Sequence, residues 1–412
     1  MRLIILMIFM SVLAVLTLCL WNYIFQGKLK GKELLIGVGF SLLAGALLVA
    51  YGFYFPYVNG SPLFPLVHGS ALGALTWILM LFMAFPFLLI GAIGCFSYRL
   101  CRHFKRKKRP MPEQTEQTVS RRTFVKGVAA AVPVAALATS GVGNLIGEKY
   151  LSLTKHDVYF PHLPDYLEGY KIGQLSDTHM GLFFGPDELR QSLEAAASQH
   201  VNRLELTGDL IDELSLLPEY EKILNEYAPY FPDGIDFCYG NHEYYRGIGQ
   251  ITAMLDKTPV RILRNTSYCA SPGMGKQLVG RTGQDTQPFY IAGTDYSFTN
   301  GNEAFQAERE KFVTKALQGI PEKAFVLLLA HHSAFIDEAF EHHIPLTLCG
   351  HTHGAQVAPI GPIVQAVGFK YLRGMYQKGD SYGYVNRGTG HWLPLRLFCS
   401  REVSIFTLHT KH

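Results

Sequence analysis

The chain has 412 residues, 48% of them hydrophobic and 17% charged, with a formal net charge of +4. That length allows one large domain plus something else, and the parts on either side of residue 150 differ so sharply in character that a single uniform soluble domain is excluded. Of the seven cysteines, Cys19, Cys95 and Cys101 lie in or beside apolar runs, and the other four show neither metal spacing nor a disulfide pattern, which argues against a cysteine-built site.

Residues 3–25, 34–58 and 71–98 are almost wholly apolar. Each run meets the roughly 20 residues needed to cross the hydrocarbon core, so residues 1–98 are expected to form three transmembrane helices. Buried helices of a soluble protein would carry more polar punctuation. The first connection holds Lys28, Lys30 and Lys32, the second (59–69) has no Lys or Arg, and the third carries Arg99, Arg102, Lys105, Arg106, Lys107, Lys108 and Arg109. The positive-inside bias then puts the first and third connections in the cytoplasm and the second outside. A basic cluster just past a span is explained by topology and anionic headgroups. Membrane lipids are therefore the expected neighbours, with no nucleic acid and no obligate protein partner.

Residues 99–126 read as a basic cytoplasmic loop. A polar linker, Pro110 to Val119, leads into Ser120-Arg121-Arg122-Thr123-Phe124-Val125-Lys126, which resembles a twin-arginine export signal displaced from its usual place at the start of a protein. Residues 127–149 are a fourth hydrophobic segment, either such a signal retained as an anchor or an ordinary fourth span. Both readings place residues 150–412 outside, in a multi-pass protein of the cell membrane.

Along that last stretch, five runs with strand length and apolar or alternating character each end at a polar motif. Residues 170–175 precede Asp177-Thr178-His179, 204–207 precede Gly208-Asp209-Leu210-Ile211-Asp212, and 235–239 precede Gly240-Asn241-His242-Glu243. Residues 325–330 precede His331-His332, and 346–349 precede Gly350-His351-Thr352-His353. Helical spacing appears at Pro186–His200, Leu216–Tyr227 and Asn302–Leu317, the first with acidic residues in its opening turn. Residues 267–285 are polar and glycine-rich, as in a hairpin or flexible loop. Alternating strands and helices imply an α/β architecture with the site at the carboxyl ends of the strands. Carboxylate, imidazole and amide groups gathered there suit divalent transition ions and leave positions open for water and substrate.

This ordered motif set resembles the calcineurin-like metallophosphoesterase superfamily over roughly residues 170–408. The Gly350–Gln356 and Tyr384–Gly390 stretches are most similar to its bacterial branch of membrane-associated phosphodiesterases with a twin-arginine-like signal. The resemblance implies a four-layer αββα sandwich of two mixed sheets over residues 150–412. It implies two divalent ions (Mn, Fe or Zn), with Asp177, His179 and His353 holding one, Asn241, His331 and His351 the other, and Asp209 bridging them. His242 would be the catalytic group that stabilises the transition state or protonates the leaving oxygen. His331 is preferred over His332 because the family histidine directly follows its strand. Asp212 is expected to shape the loop or orient a neighbour. Glu243 either fixes the tautomer of His242 or is a surface carboxylate. Arg246 either meets a substrate phosphate or forms a surface salt bridge. Leu182, Phe183 and Phe184 either border the site or belong to the core, and His156, His162, His200, His342, His343 and the terminal histidines are expected to be solvated.

The function implied is a metal-dependent phosphoric ester hydrolase, anchored in the membrane with its site outside, acting on phosphate mono- or diesters, lipid phosphoesters among them, through metal-activated hydroxide. A catalytically silent phospho-ligand sensor is disfavoured because every ligand position is filled. A pyrophosphatase of the UDP-diacylglucosamine type is disfavoured because those enzymes carry Arg where this chain has His242, and because the topology is wrong for a nucleotide-linked precursor.

Overall fold

The computed structural model describes residues 2–24, 31–106, 131, 135–136, 138–147, 149–270, 287–357, 361–391 and 393–411. The twin-arginine-like motif, the linker before it and most of the fourth hydrophobic segment lie outside those residues. Two units are present, Met1–Ile146 and Gly147–His412.

In the first unit, apolar sequence without a polar stripe gives three long helices: α1 (Arg2–Ile24), α2 (Gly31–Val58) and α3 (Phe64–Arg106). Among the described residues, Gly31–Val58 and Phe64–Cys101 are long and apolar enough to cross a membrane, and α1 contributes a shorter apolar stretch, Val12–Ile24. Ala14 and Ile24 pack with Leu81, Ala84, Leu88 and Ala92 of α3, while Leu35, Ile36, Leu66 and Ile90 point outward and exposed. Inside the bundle Trp77 Nε1 donates to Ser41 Oγ at 3.0 Å. At 1.5 Å per residue α3 is roughly 65 Å long, about twice the hydrocarbon thickness. The third helix thus starts before the apolar run and continues through Arg99, since nothing after Pro86 breaks it.

The second unit is built from two six-stranded mixed sheets. In chain order the strands are β1 (Leu151–Phe160), β2 (Lys171–Leu175), β3 (Arg203–Leu206), β4 (Ile235–Phe237), β5 (Val260–Ile262), β6 (Thr266–Cys269), β7 (Phe289–Gly293), β8 (Phe325–His332), β9 (Leu346–Gly350), β10 (Gly374–Lys378), β11 (Ser381–Val385) and β12 (Arg401–Thr410). One sheet runs β1-β12-β2-β3-β4-β5 and the other β10-β11-β9-β8-β7-β6. Strands β2 to β5 are mutually parallel, as are β7, β8, β9 and β11; β12 lies antiparallel to β2. The glycine-rich stretch after β6 joins it to antiparallel β7, and its middle lies outside the described residues.

The period-two alternation of strand side chains decides which face meets what. Leu327, Leu329, Leu346 and Leu348 of one sheet share a core with Ile172, Phe160, Phe406 and Leu408 of the other. Their neighbours Leu328, Ala330 and Cys349 turn the other way, onto Val313 and Ala316 of helix Asn302–Leu317 and Phe335, Ile336 and Ala339 of helix Phe335–Glu341. Helices Pro186–Ala197 and Leu217–Tyr227 bury Leu189, Leu193, Ile223 and Leu224 on the first sheet's side. Two packed sheets with helices on both sides therefore replace the single open sheet that alternation alone would also allow.

Candidate metal centre

Strands β2, β3 and β4 of one sheet and β8 and β9 of the other all end at the same place, and their polar motifs meet there. Asp177 and Asp209 follow β2 and β3, Asn241 starts helix Asn241–Arg246 after β4, His331 is the last residue but one of β8, and His351 and His353 follow β9. Backbone bonds stitch the loops together: Asp177 N–H donates to Gly208 O and His179 N–H to Asp209 O, both at 3.0 Å.

Five of these residues, Asp177, His179, Asp209, His351 and His353, have φ between 47° and 73°. Each such non-glycine residue is strained, and five at one site show that the surrounding structure holds the donors in place. Close approach explains the glycine before a donor. A Cβ on Gly350 would overlap Ser176 Oγ and Asp177 Oδ2, and one on Gly240 would overlap Asp209 Oδ1.

Two groups of donors result, Asp177–His179–His353 and Asp209–His331–His351. In the first, His353 Nε2 lies 3.1 Å from His179 Nε2 and 3.3 Å from Asp177 Oδ1. In the second, His331 Nε2 lies 3.2 Å from both Asp209 Oδ2 and His351 Nδ1. Asp209 Oδ2 is also 3.6 Å from His179 Nε2, so it stands between the groups. The amide oxygen of buried Asn241 has no hydrogen-bond partner, which a neutral polar group tolerates only where something else completes it. His331 Nδ1–H donates to Thr207 O at 2.7 Å, leaving Nε2 as the lone-pair nitrogen that faces the cluster.

Burial pulls His331 down, yet Asp209 and Asp177 beside it push it up to about 10, so these carboxylates favour a positive charge at Nε2, which a proton or a metal ion can supply. Burial, with cationic neighbours, keeps His351 and His353 well below the usual imidazole range and so neutral, the form a metal binds. The donor set is short of positive charge and rich in lone pairs, and it fits divalent cations.

His242 also lies close enough to His179 and Asp209 to count as a donor. Its Nδ1, however, is engaged by Asp212 Oδ1 at 2.6 Å. Burial lowers its pKa, but Asp209 and Asp212 outweigh that and hold it at about 9. Asp212 is the hub of this edge: the same Oδ1 accepts from Arg246 Nε at 3.1 Å, and Oδ2 lies 3.5 Å from His179 Nδ1. Arg246 is therefore at the site and ion-paired at once.

Several expectations change. Glu243 neither touches the ring of His242 nor lies at the surface. It is fully buried, and its carboxylate accepts from the backbone N–H groups of Gly240 (2.7 Å), Leu210 (2.7 Å) and Asp209 (3.0 Å). It clamps two motif loops together, and the sequence signal was a capping box, Glu three residues after the Gly240 cap. His332 packs behind His351, ring centroids 4.7 Å apart, and its Nδ1 accepts from Ala334 N–H. Phe183 and Phe184 are buried, and the Arg401 guanidinium stacks on the Phe184 ring, so these two are core. His156 is half-buried, stacked on Phe406 and tilted against Tyr384, whereas His342 is exposed as expected and pairs with Glu310 at 2.8 Å. Sequence reasoning missed Arg396, buried behind the site, which donates to Gly390 O (2.6 Å) and lies 3.5 Å from His353 Nδ1. A lone Arg before a leucine in a loop carries no signal of that.

The model of the calcineurin-like phosphoesterase family matches residues 170–355. The chain is similar to the uncharacterized metallophosphoesterase YkuE of Bacillus subtilis, at 27% identity over 70% of this chain and 98% of that protein. It is 31% identical to an uncharacterized metallophosphoesterase of Helicobacter pylori over 59% of this chain, spanning only 60% of that relative's length. A transmembrane protein with metallophosphoesterase domain from Danio rerio is 26% identical over 82% of this chain and 72% of its own. Residues 170–355 thus carry a calcineurin-like phosphoesterase domain, and this match, with metallophosphoesterases among the relatives, supports a metal-dependent phosphoester hydrolase.

Proposed function

We propose that the protein is a membrane-anchored phosphoesterase with two divalent ions, hydrolysing phosphate mono- or diesters outside the cytoplasm, with lipid phosphoesters at the membrane surface as substrates. The observation that carries this reading is the carboxylate of Asp209, whose Oδ2 lies 3.6 Å from His179 Nε2 and 3.2 Å from His331 Nε2. Asp177 and His353 would complete one ion site with His179, and His351 and the unpaired oxygen of Asn241 the other with His331. Such ions supply Lewis acidity, drawing charge from phosphate oxygens and making water acidic enough to yield hydroxide near neutral pH.

The chain's own residues do the rest. Asp212 holds His242 by Nδ1, which leaves Nε2 to give a proton to the leaving oxygen. Arg246, steadied by the same carboxylate, offers its guanidinium to a phosphate oxygen. Anchoring is supported by the two long apolar helices and by the similarity to transmembrane relatives. The outside location is supported by the lysine and arginine asymmetry of the connections. A site kept near the bilayer favours a substrate that resides there.

The test is metal analysis and phosphate release with the purified full-length protein in detergent. Wild type should bind metal and lose activity when chelated. Asp209→Ala should lose both metal and activity, whereas His242→Ala should keep the metal and fall by roughly 100-fold in kcat. If His242→Ala loses metal as completely as Asp209→Ala, the assigned roles are wrong; a wild-type protein that binds none overturns the function.

A further inference from the structure

An arc of aromatic rings begins and ends on the metal centre. From His242 it passes to Tyr245 (centroids 5.7 Å), Phe298 (5.6 Å) and Tyr296 (4.8 Å), and closes on His331 and His351 at 5.8 and 5.7 Å. Its middle members are open to solvent, Tyr245 and Phe298 each 44% exposed. A single exposed aromatic needs no explanation, but these two adjoin each other at the mouth of a site.

They are also held in place. Ser297 and Thr299, on either side of Phe298, both donate their hydroxyls to Glu308. Tyr244 packs edge-on against Phe298 from behind, and its hydroxyl donates to Asp295, which also accepts from Arg264 Nε at 2.7 Å. Two separate carboxylates thus rigidify a loop whose apolar ring faces water, an arrangement that costs ordering entropy and gains nothing until the ring is covered.

We infer that the Tyr245–Phe298 wall receives an apolar group carried by the alcohol that leaves the phosphate. This rests on the phosphoesterase reading. The wall starts at His242, the proton donor to the leaving oxygen, so the group bonded to that oxygen lies against it. Hydrolysis breaks the bond from phosphorus to that oxygen, forms one to a water oxygen, and leaves the proton from His242 on the alcohol. Ring surfaces of this kind bind by stacking and burial, worth about 1–3 kcal/mol per stacked ring, roughly 5- to 150-fold in affinity.

The test measures binding and turnover separately, on the metal-loaded full-length protein. Benzylphosphonate, cyclohexylmethylphosphonate and ethylphosphonate carry the same anionic head and are not cleaved at oxygen. Benzylphosphonate should bind at least about 10-fold more tightly than ethylphosphonate. Phe298→Ala, Phe298→Leu and Tyr245→Ala should each shrink that ratio several-fold, and Tyr230→Ala, at an exposed tyrosine outside the arc, should not. Cyclohexylmethylphosphonate equal to benzylphosphonate means that the wall reads hydrocarbon bulk; weaker binding means that it reads a flat ring. Equal affinity for the benzyl and ethyl compounds, or a ratio untouched by the Phe298 and Tyr245 variants, overturns the inference. Benzyl and ethyl phosphates, whose alcohols have similar acidity, then test turnover. Phosphate release with no binding preference sinks the wall alone, a binding preference with no release from either ester sinks the phosphoesterase reading and with it the leaving-group role while keeping the wall as a binding surface, and failure of all three phosphonates to bind sinks both.

Discussion

Glu243 is the buried residue whose change should report most directly on how the site is held. Its two oxygens serve three backbone donors, Oε2 accepting from Asp209 and Gly240 and Oε1 from Leu210. In Glu243→Gln one oxygen survives, and the amide nitrogen must face at least one of those N–H groups. A buried donor left without an acceptor costs about 1–3 kcal/mol. At about 2–4 °C per kcal/mol for a large domain, the melting temperature should fall by roughly 2–12 °C. Glu243→Ala strands all three donors and should fall further. Because the clamped loop carries Asp209, metal content should drop in parallel. Thermal unfolding followed by tryptophan-independent dye fluorescence, with metal analysis of the same samples, measures both. A Glu243→Gln protein that melts and binds metal like wild type refutes the clamp, and loss of turnover alone would return Glu243 to His242.

Asp212→Asn removes the charge that steadies His242, Arg246 and His179, and activity should fall by about 10- to 100-fold, with less metal loss than in Asp209→Ala; equal loss of metal would make Asp212 a ligand. His331→Ala should deplete metal, whereas His332→Phe, which preserves the ring packed on His351, should retain it, and metal analysis of the pair decides between the neighbours. Reporter fusions after residues 64 and 150 should read outside and one after residue 109 cytoplasm; a cytoplasmic signal at residue 150 would overturn the extracytoplasmic site.

What the sequence alone determined was local. An apolar run of strand length followed by a polar donor is complete within about ten residues, so the five strand ends and their motifs were legible, as were the helices at Pro186–Ala197, Leu217–Tyr227 and Asn302–Leu317. The apolar runs of the first unit were legible for the same reason, although where α3 begins and ends was not, because helices continue through polar residues that a hydropathy window excludes. Tertiary structure decided everything that depends on pairs far apart in the chain. That β2 lies beside β12, with Ile172 opposite Phe406, turns one conceivable open sheet into two, and no local periodicity encodes it. Glu243 was misread because its partners are backbone N–H groups of residues 209 and 210, which have no side-chain signature. Asp212, Arg396 and the Tyr245–Phe298 wall acquire their roles only where loops from both sheets converge. Side-chain chemistry is written in the residue, whereas the distance at which it acts is set by the packing of chain segments that the sequence keeps apart.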